Sequence, residues 1–209
     1  MNDRGVTRAF FDQWSRSYDN PFVQAVTYRP VQDAVIRAMR RQPPRLVLDV
    51  GCGTGLLTVR IGHEFGATVM GCDYSAGMLQ EASRRSRDLF WVQATAAALP
   101  VADQAVDAVV STESFHWYPD QEGALREFAR ALRAGGHAYV ALINPPTRAV
   151  TVWTARWSRR LGRPLRWPTL EQMATMAHEA GFAVVAQQRV ARLPMSMLLP
   201  AFVNVLQRR

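Results

Sequence analysis

Leu46-Val47-Leu48-Asp49-Val50-Gly51-Cys52-Gly53-Thr54-Gly55 decides how this chain folds. An apolar run of strand length passes directly into a turn carrying three glycines. Strands with unbroken apolar runs are buried on both faces, as in parallel sheets. Glycine lets the backbone turn tightly and lets a ligand approach the main chain. Such a turn alone is a weak signal, since NAD- and FAD-binding folds use one too. Here the third glycine follows the second by two residues rather than three, and two predicted helices precede the strand.

Those helices read as residues 7–18 and 30–41, the second with Pro30 in its first turn and Gln42-Pro43-Pro44 at its end. Beyond the glycine turn the pattern predicts a helix over 55–65, a strand over 67–72, a helix over 75–86 and strands at 90–93 and 106–110. A helix over 120–133 is stopped by Gly135-Gly136, and a strand follows at 137–143. A helix over 169–180 ends at Gly181, with strands at 182–190 and about 197–206. Alternation from 46 to 190 predicts a doubly wound α/β domain, mostly parallel, with helices on both faces. Ligands of such sheets sit at the carboxyl ends of the strands.

The chain has 209 residues, 48% hydrophobic and 20% charged, the profile of one globular domain with a sizeable core. A disordered chain and a disulfide-stapled miniprotein are excluded. Two cysteines, Cys52 and Cys72, and no apolar leader in MNDRGVTRAFF predict a reducing, cytoplasmic setting. The most apolar stretch, Leu193 to Leu206, is interrupted by Pro194, Ser196, Pro200 and Asn204 and falls short of the about 20 residues a bilayer span needs. All 25 basic residues are arginine. Residues 1–45 carry 8 of them against 4 acids, residues 46–144 carry 7 against 11, and residues 145–209 carry 10 against 2. Basic ends therefore flank an acidic middle, and different tasks are expected of them.

After the second strand comes Asp73, in Gly71-Cys72-Asp73-Tyr74-Ser75. An acid here can accept hydrogen bonds from both hydroxyls of a ribose; the alternative is that it caps the next helix, for which Ser75 is equally placed. Further elements are Phe11-Asp12, Tyr18-Asp19, ALP at 98–100, VDAVVS at 106–111, LRAGG at 132–136 and EAGF at 179–182. On these, over about residues 10–190, the chain resembles the class I S-adenosylmethionine-dependent methyltransferases, in particular the small-molecule branch that includes quinone-biosynthesis enzymes.

The resemblance implies a Rossmann-like, seven-stranded sheet and N-terminal helices, within residues 1–45, that form a lid over the cofactor. The core is then 46–144, followed by an insert at 145–169 and a closing helix and strands at 170–209. S-adenosyl-L-methionine is the implied cofactor. Gly51, Cys52 and Gly53 would run beside its methionine part, with Asp49 in support. Asp73 would hold the ribose and Tyr74 pack on the adenine, with Met78 and Ser111 completing the contacts. The family usually has an Asp-Ala pair before Leu99-Pro100, whose Asp accepts the adenine amino group. This chain has Thr95-Ala96, and a threonine hydroxyl accepts without charge. Phe11, Trp14 and Tyr18 recur at helical spacing; Tyr18 is the expected lid contact, though such a stripe also suits plain core packing.

The implied chemistry is methyl transfer from a sulfonium to a nucleophile. The cofactor brings the reactivity, and the protein holds donor and acceptor about 3 Å apart, aligned and away from water. A base is needed only where the acceptor carries a proton. His116, in Ser114-Phe115-His116-Trp117-Tyr118, is the candidate catalytic base, against the reading that it packs beside Trp117 and shapes the pocket. Glu113 is the weaker alternative. His63 and His178 fall on helices away from the site and His137 begins a strand, so four scattered histidines without ligand spacing argue against a metal site.

Residues 145–169 hold six arginines, no acid, and Trp153, Trp157 and Trp167. Val150, Trp153, Trp157 and Leu161 recur at helical spacing with the arginines largely off that stripe, which predicts an amphipathic helix. It reads as a cap over an anionic or aromatic small-molecule acceptor. It reads also as a helix lying on an anionic membrane, a peripheral contact suited to a lipid or quinone methyltransferase. The third reading is a solvated arginine face with the tryptophans packed on the core. A sequence pI near 10.6 suits nucleic acid, and Asn144-Pro145-Pro146 is similar to a motif of amino-methylating DNA enzymes. That motif follows the fourth strand and ends in an aromatic; this one follows the fifth and ends in Thr147, so nucleic acid is set aside. A non-catalytic cofactor-binding protein is the reading from outside enzymology.

Overall fold

A computed structural model describes residues 24–160, 165–191 and 200–209. Strands β1 (Leu46–Val50), β2 (Thr68–Asp73), β3 (Phe90–Gln93), β4 (Val106–Thr112), β5 (Leu132–Ile143), β6 (Phe182–Val190) and β7 (Ala201–Arg208) form one sheet in the order β3-β2-β1-β4-β5-β7-β6. Neighbours from β3 through β5 are parallel, and β7 runs antiparallel to both β5 and β6. The helices are α1 (Arg29–Met39), α2 (Leu56–Phe65), α3 (Ala76–Arg85), α4 (Gln121–Ala131), α5 (Arg148–Arg160) and α6 (Leu170–Glu179). A π-helical turn, Gln24–Tyr28, leads into α1.

The apolar strands serve two cores. β1 sends Val47 into the one under α1 and α2, and Leu48 and Val50 into the one under α4 and α6. Period-two geometry forces this division, and it is why the strand carries no exposed polar face. The caps are local: Ser75 Oγ accepts from Met78 N at the start of α3, Asp120 from Gly123 N at α4, and Thr169 forms a capping box with Gln172 at α6.

Two expected boundaries move. α4 ends at Ala131, and β5 begins at Leu132 rather than at 137. Its pairing with β4 jumps from Val106↔Leu132 to Ala108↔His137, so Gly135-Gly136 sits in a bulge of the strand and does not stop the helix. The final strand occupies 201–208 and so runs two residues past the expected end at 206, while the expected residues 197–199 lie outside the described residues; Pro200 stands immediately before it, where the missing N–H costs the ladder nothing. The expected helix over 7–18, with Phe11, Trp14 and Tyr18, lies outside the described residues. Strand order reverses between β1 and β4, which opens a crevice at their carboxyl ends.

Candidate functional site

The crevice is built on one carbonyl. Val50 O, at the end of β1, accepts from Ser114 Oγ at 3.1 Å and Tyr118 Oη at 3.0 Å. Ser111 Oγ lies 2.9 Å from Ser114 Oγ and 3.1 Å from Tyr118 Oη. These hydroxyls tie the segment after β4 to the glycine turn after β1. Burial pushes the Tyr118 phenol well up, so it stays a donor. Gly51 has φ +72°, and a Cβ there would lie 2.4 Å from Ser114 Cβ and 3.1 Å from Tyr118 Oη. Backbone conformation and space both require glycine. Gly55 and Gly71 answer to a different neighbour: a Cβ on either would come within 2.5 Å of the Trp91 indole. The third glycine of the turn therefore makes room for packing rather than for a ligand.

Two acids stand at the same rim. Asp73 accepts from Gly53 N through Oδ2 at 2.8 Å and from Ser75 N through Oδ1 at 2.9 Å. The side-chain cap of α3 falls to Ser75, while Asp73 bridges the glycine turn and the start of that helix. Asp49 is 1% exposed. Thr58 Oγ1 donates to its Oδ2 at 2.7 Å, while its Oδ1 is buried with no hydrogen-bond partner. Burial pushes this carboxyl up to about 7; the Thr58 bond opposes the rise and the charge of Asp73 adds to it. Cys52 and Cys72 are free thiols, and burial raises both far from the thiolate range.

Glu113 follows β4 with φ 53°, a left-handed conformation uncommon outside glycine. Its N–H donates to Ala141 O at 2.8 Å, and its side chain lines a recess shared with Tyr28, Gln32 and the Gly51–Thr54 turn. Strained backbone at a strand end is a mark of functional sites. Ser111 is fully buried within the hydroxyl cluster, and Met78 is 2% exposed. Tyr74 is half-buried, its carbonyl accepting from Gln93 Nε2 at 3.0 Å. Thr95 is exposed and Ala96 half-buried after β3, where Thr95 bridges to Ala98. The expected contacts from Asp49 to Ser111 fall at the carboxyl ends of β1, β2, β3 and β4, except Met78, which lies buried in the first turn of α3; Tyr18 lies outside the described residues. Sequence reading passed over Thr58, Ser114 and Tyr118. The spacing of three hydroxyls, Ser111, Ser114 and Tyr118, just past a strand was the available signal.

His116 is 7% exposed, its ring centroid 5.4 Å from that of Trp117 and 5.9 Å from that of Trp167. His116 O accepts from Arg166 N at 2.9 Å, and Gln121 Nε2 donates to Phe115 O and Arg166 O. The return leg of the 145–169 segment thereby closes over the turn carrying His116. The Trp167 indole nitrogen is buried without a partner, a state that costs about 1–3 kcal/mol. Asn144 is 1% exposed; it donates to Pro168 O at 2.9 Å and accepts from Asn204 Nδ2 at 3.2 Å. Asn144-Pro145-Pro146 is therefore a structural clamp. His63 and His178 are exposed, and His137 is buried against Tyr139.

The reading that packs the tryptophans on the core is overturned. Trp153 is 65% and Trp157 56% exposed, and α5 buries only Ser158. Ser158 Oγ accepts from Leu165 N at 2.9 Å, so the small-residue side of α5 turns inward. A cavity of about 430 Å³ lies between α1 and α2, lined by the Arg60–Asp33 and Arg40–Glu64 pairs, Arg37 and His63. It faces the C-terminal half of α2, the end remote from the glycine turn.

A methyltransferase domain family matches residues 48–140. The chain is 33% identical over 138 residues to demethylmenaquinone methyltransferase of Beutenbergia cavernae, covering 65% of this chain and 57% of that protein. Against demethylmenaquinone methyltransferase of Mycolicibacterium paratuberculosis it is 34% identical over 169 residues, covering 79% and 72%. The chain spans between 49% and 60% of the length of several of the curated methyltransferases it matches, a malonyl-[acyl-carrier protein] O-methyltransferase of Xylella fastidiosa among them. Magnesium protoporphyrin IX methyltransferase of Synechocystis PCC 6803, solved with bound S-adenosylhomocysteine, shares the fold: TM-score 0.74 at 19% identity, over 98% of this chain and 99% of that one. With the glycine turn, the strand-end acids and these relatives together, the chain belongs to the class I S-adenosylmethionine-dependent methyltransferases.

Proposed function

We propose that this chain binds S-adenosylmethionine along the carboxyl ends of β1, β2 and β4 and transfers its methyl group to a small-molecule acceptor beside His116. The observation that carries the cofactor is the orphaned buried oxygen of Asp49 beside the glycine turn, with Asp73 held against Gly53 N at the same rim. Asp73 would take the ribose hydroxyls, and Asp49 would accept from the amino group at the methionine end. Gly51, Cys52 and Gly53 would give that end close access to the main chain, while Tyr74, Thr95 and Ala96 would meet the adenine. Relatives and a fold neighbour named as methyltransferases of small molecules support the acceptor class.

The cofactor supplies an electrophilic methyl on sulfonium. The protein's work is placement. The Ser111–Ser114–Tyr118 cluster fixes the turn after β4 against Val50 O, so the donor and acceptor sides of the crevice hold one geometry. The return leg carrying Trp167 covers His116 and keeps water from that side. An acceptor oxygen would satisfy the unpartnered Trp167 indole N–H, which favours an anionic or aromatic hydroxyl-bearing acceptor. Where that acceptor carries a proton, a His116 ring nitrogen would take it. The free cysteines support a cytoplasmic setting.

Calorimetry with S-adenosylmethionine and S-adenosylhomocysteine, with NAD as control, tests the reading. Micromolar binding is expected, weakened about a hundredfold by Asp73→Ala, since bonds to a charged acceptor contribute about 1.5–3 kcal/mol each. No binding to the intact protein, or equal binding by the variant, refutes it.

A further inference from the structure

α5 is packed inside out. Thr151, Thr154 and Ala155 are half-buried and Ser158 is buried, so small and weakly polar residues face the protein. Val152 is 54%, Trp153 65% and Trp157 56% exposed on the opposite side. The two indoles lie nearly parallel, 8° apart with centroids at 6.3 Å. Arg148, Arg156, Arg159 and Arg160 are exposed around them, and no ion pair or hydrogen bond of these four side chains is found among the described residues. A helix of a globular domain ordinarily shows the reverse arrangement.

We propose that this outer face of α5 docks on an anionic phospholipid surface. Indoles favour the boundary between headgroups and acyl chains, because the ring is apolar and its N–H polar. Arginine lays its methylene stem along apolar surface and turns its planar guanidinium to phosphate. Here apolar and cationic side chains are interleaved on one face, the arrangement of an interfacial helix. Charge complementarity commits the occupant: residues 145–169 hold six arginines and no acid. The helix leaves β5 beside Asn144, and its return leg is tied at Asn144 Nδ2 to Pro168 O and at His116 O to Arg166 N. Docking through α5 therefore presents the His116 side of the crevice toward the lipid. The inference deepens the methyl-transfer reading without resting on it, because lipid binding is measured without cofactor or turnover.

The test uses the full chain with vesicles of phosphatidylcholine containing phosphatidylglycerol, against phosphatidylcholine alone, by co-sedimentation at low and high salt. Expected is binding to the anionic vesicles, weakened by salt. Trp153→Ala with Trp157→Ala weakens it at least about tenfold, and Arg156→Gln or Arg159→Gln weakens it about fivefold each. An unchanged thermal unfolding midpoint in the variants reports an intact fold. In wild type, brominated phosphatidylglycerol quenches tryptophan emission, a readout that needs no variant. Absence of binding at low salt, variants that bind like wild type, or no quenching overturns the proposal. Tighter binding to a duplex oligonucleotide that displaces vesicles also overturns it, and assigns the face to nucleic acid.

Discussion

Replacing Asp49 by Asn is expected to stabilise the protein at neutral pH and to leave it nearly unchanged in acid. Asp49 lies buried beside the glycine turn with one oxygen bonded to Thr58 and the other unpartnered, and burial raises its carboxyl from 3.8 to about 7. The folded state therefore binds a proton there that the unfolded chain releases from about pH 4 upward. Stability from this site is fully present below about pH 4 and is lost as pH rises through 7, by about 4 kcal/mol at about 1.4 kcal/mol per unit. Asparagine keeps an oxygen for Thr58 and carries no charge, so the variant escapes the loss. Urea unfolding between pH 4.5 and 8 gives the difference curve, which isolates Asp49 from every other titrating group. It should grow with pH in favour of the variant and level off above about 7. A difference flat across that range, or one that favours wild type with rising pH, refutes the electrostatic account. The same carboxyl links folding to ligand: an ammonium placed at Oδ1 would draw the pKa down. Cofactor binding near pH 7 should then release part of a proton in wild type and none in Asp49→Asn, read by calorimetry in buffers of different ionisation enthalpy.

Gly51→Ala combines left-handed backbone with a Cβ driven into Ser114, and should cost at least about 2 kcal/mol in urea unfolding. Gly66→Ala, with φ +58° and nothing within 4 Å of its Cβ, should cost only the backbone part, about 1 kcal/mol, and equal losses would show that the Ser114 contact is soft. Thr95→Asp restores a charged acceptor and should tighten S-adenosylmethionine about tenfold; unchanged affinity removes Thr95 from the adenine. His116→Gln should lower kcat at least about a hundredfold with S-adenosylhomocysteine affinity unchanged, and an unaltered kcat reduces His116 to a wall of the pocket.

Much of the rim was legible because its determinants are local. A run such as Leu46–Val50 has one low-energy fate, a strand covered on both faces, and Gly51 and Gly53 mark a turn whatever the rest of the chain does. Asp73 was legible for the same reason, as the first residues after a strand fall at one end of a parallel sheet. The capping choice between Asp73 and Ser75 was not, since both side chains reach a free N–H and only the turn geometry divides the work between them.

Sequence by itself determined the strand–helix alternation, the glycine turn, the acids at the strand ends and the family, because hydrophobic period and backbone preference act over a few residues. Tertiary structure decided what depends on neighbours distant in the chain. Gly135-Gly136 bends β5 because β4 takes it up in register. Gly55 yields to Trp91 across two strands, and Val50 O finds its donors at Ser114 and Tyr118 some 64 and 68 residues later. Most of all it decided α5. Periodicity places Val150, Trp153 and Trp157 near one stripe, but it cannot say which stripe meets the protein. The core beneath was already closed by the sheet and the other helices, so the small residues around Ser158 fit inward and the indoles turned out.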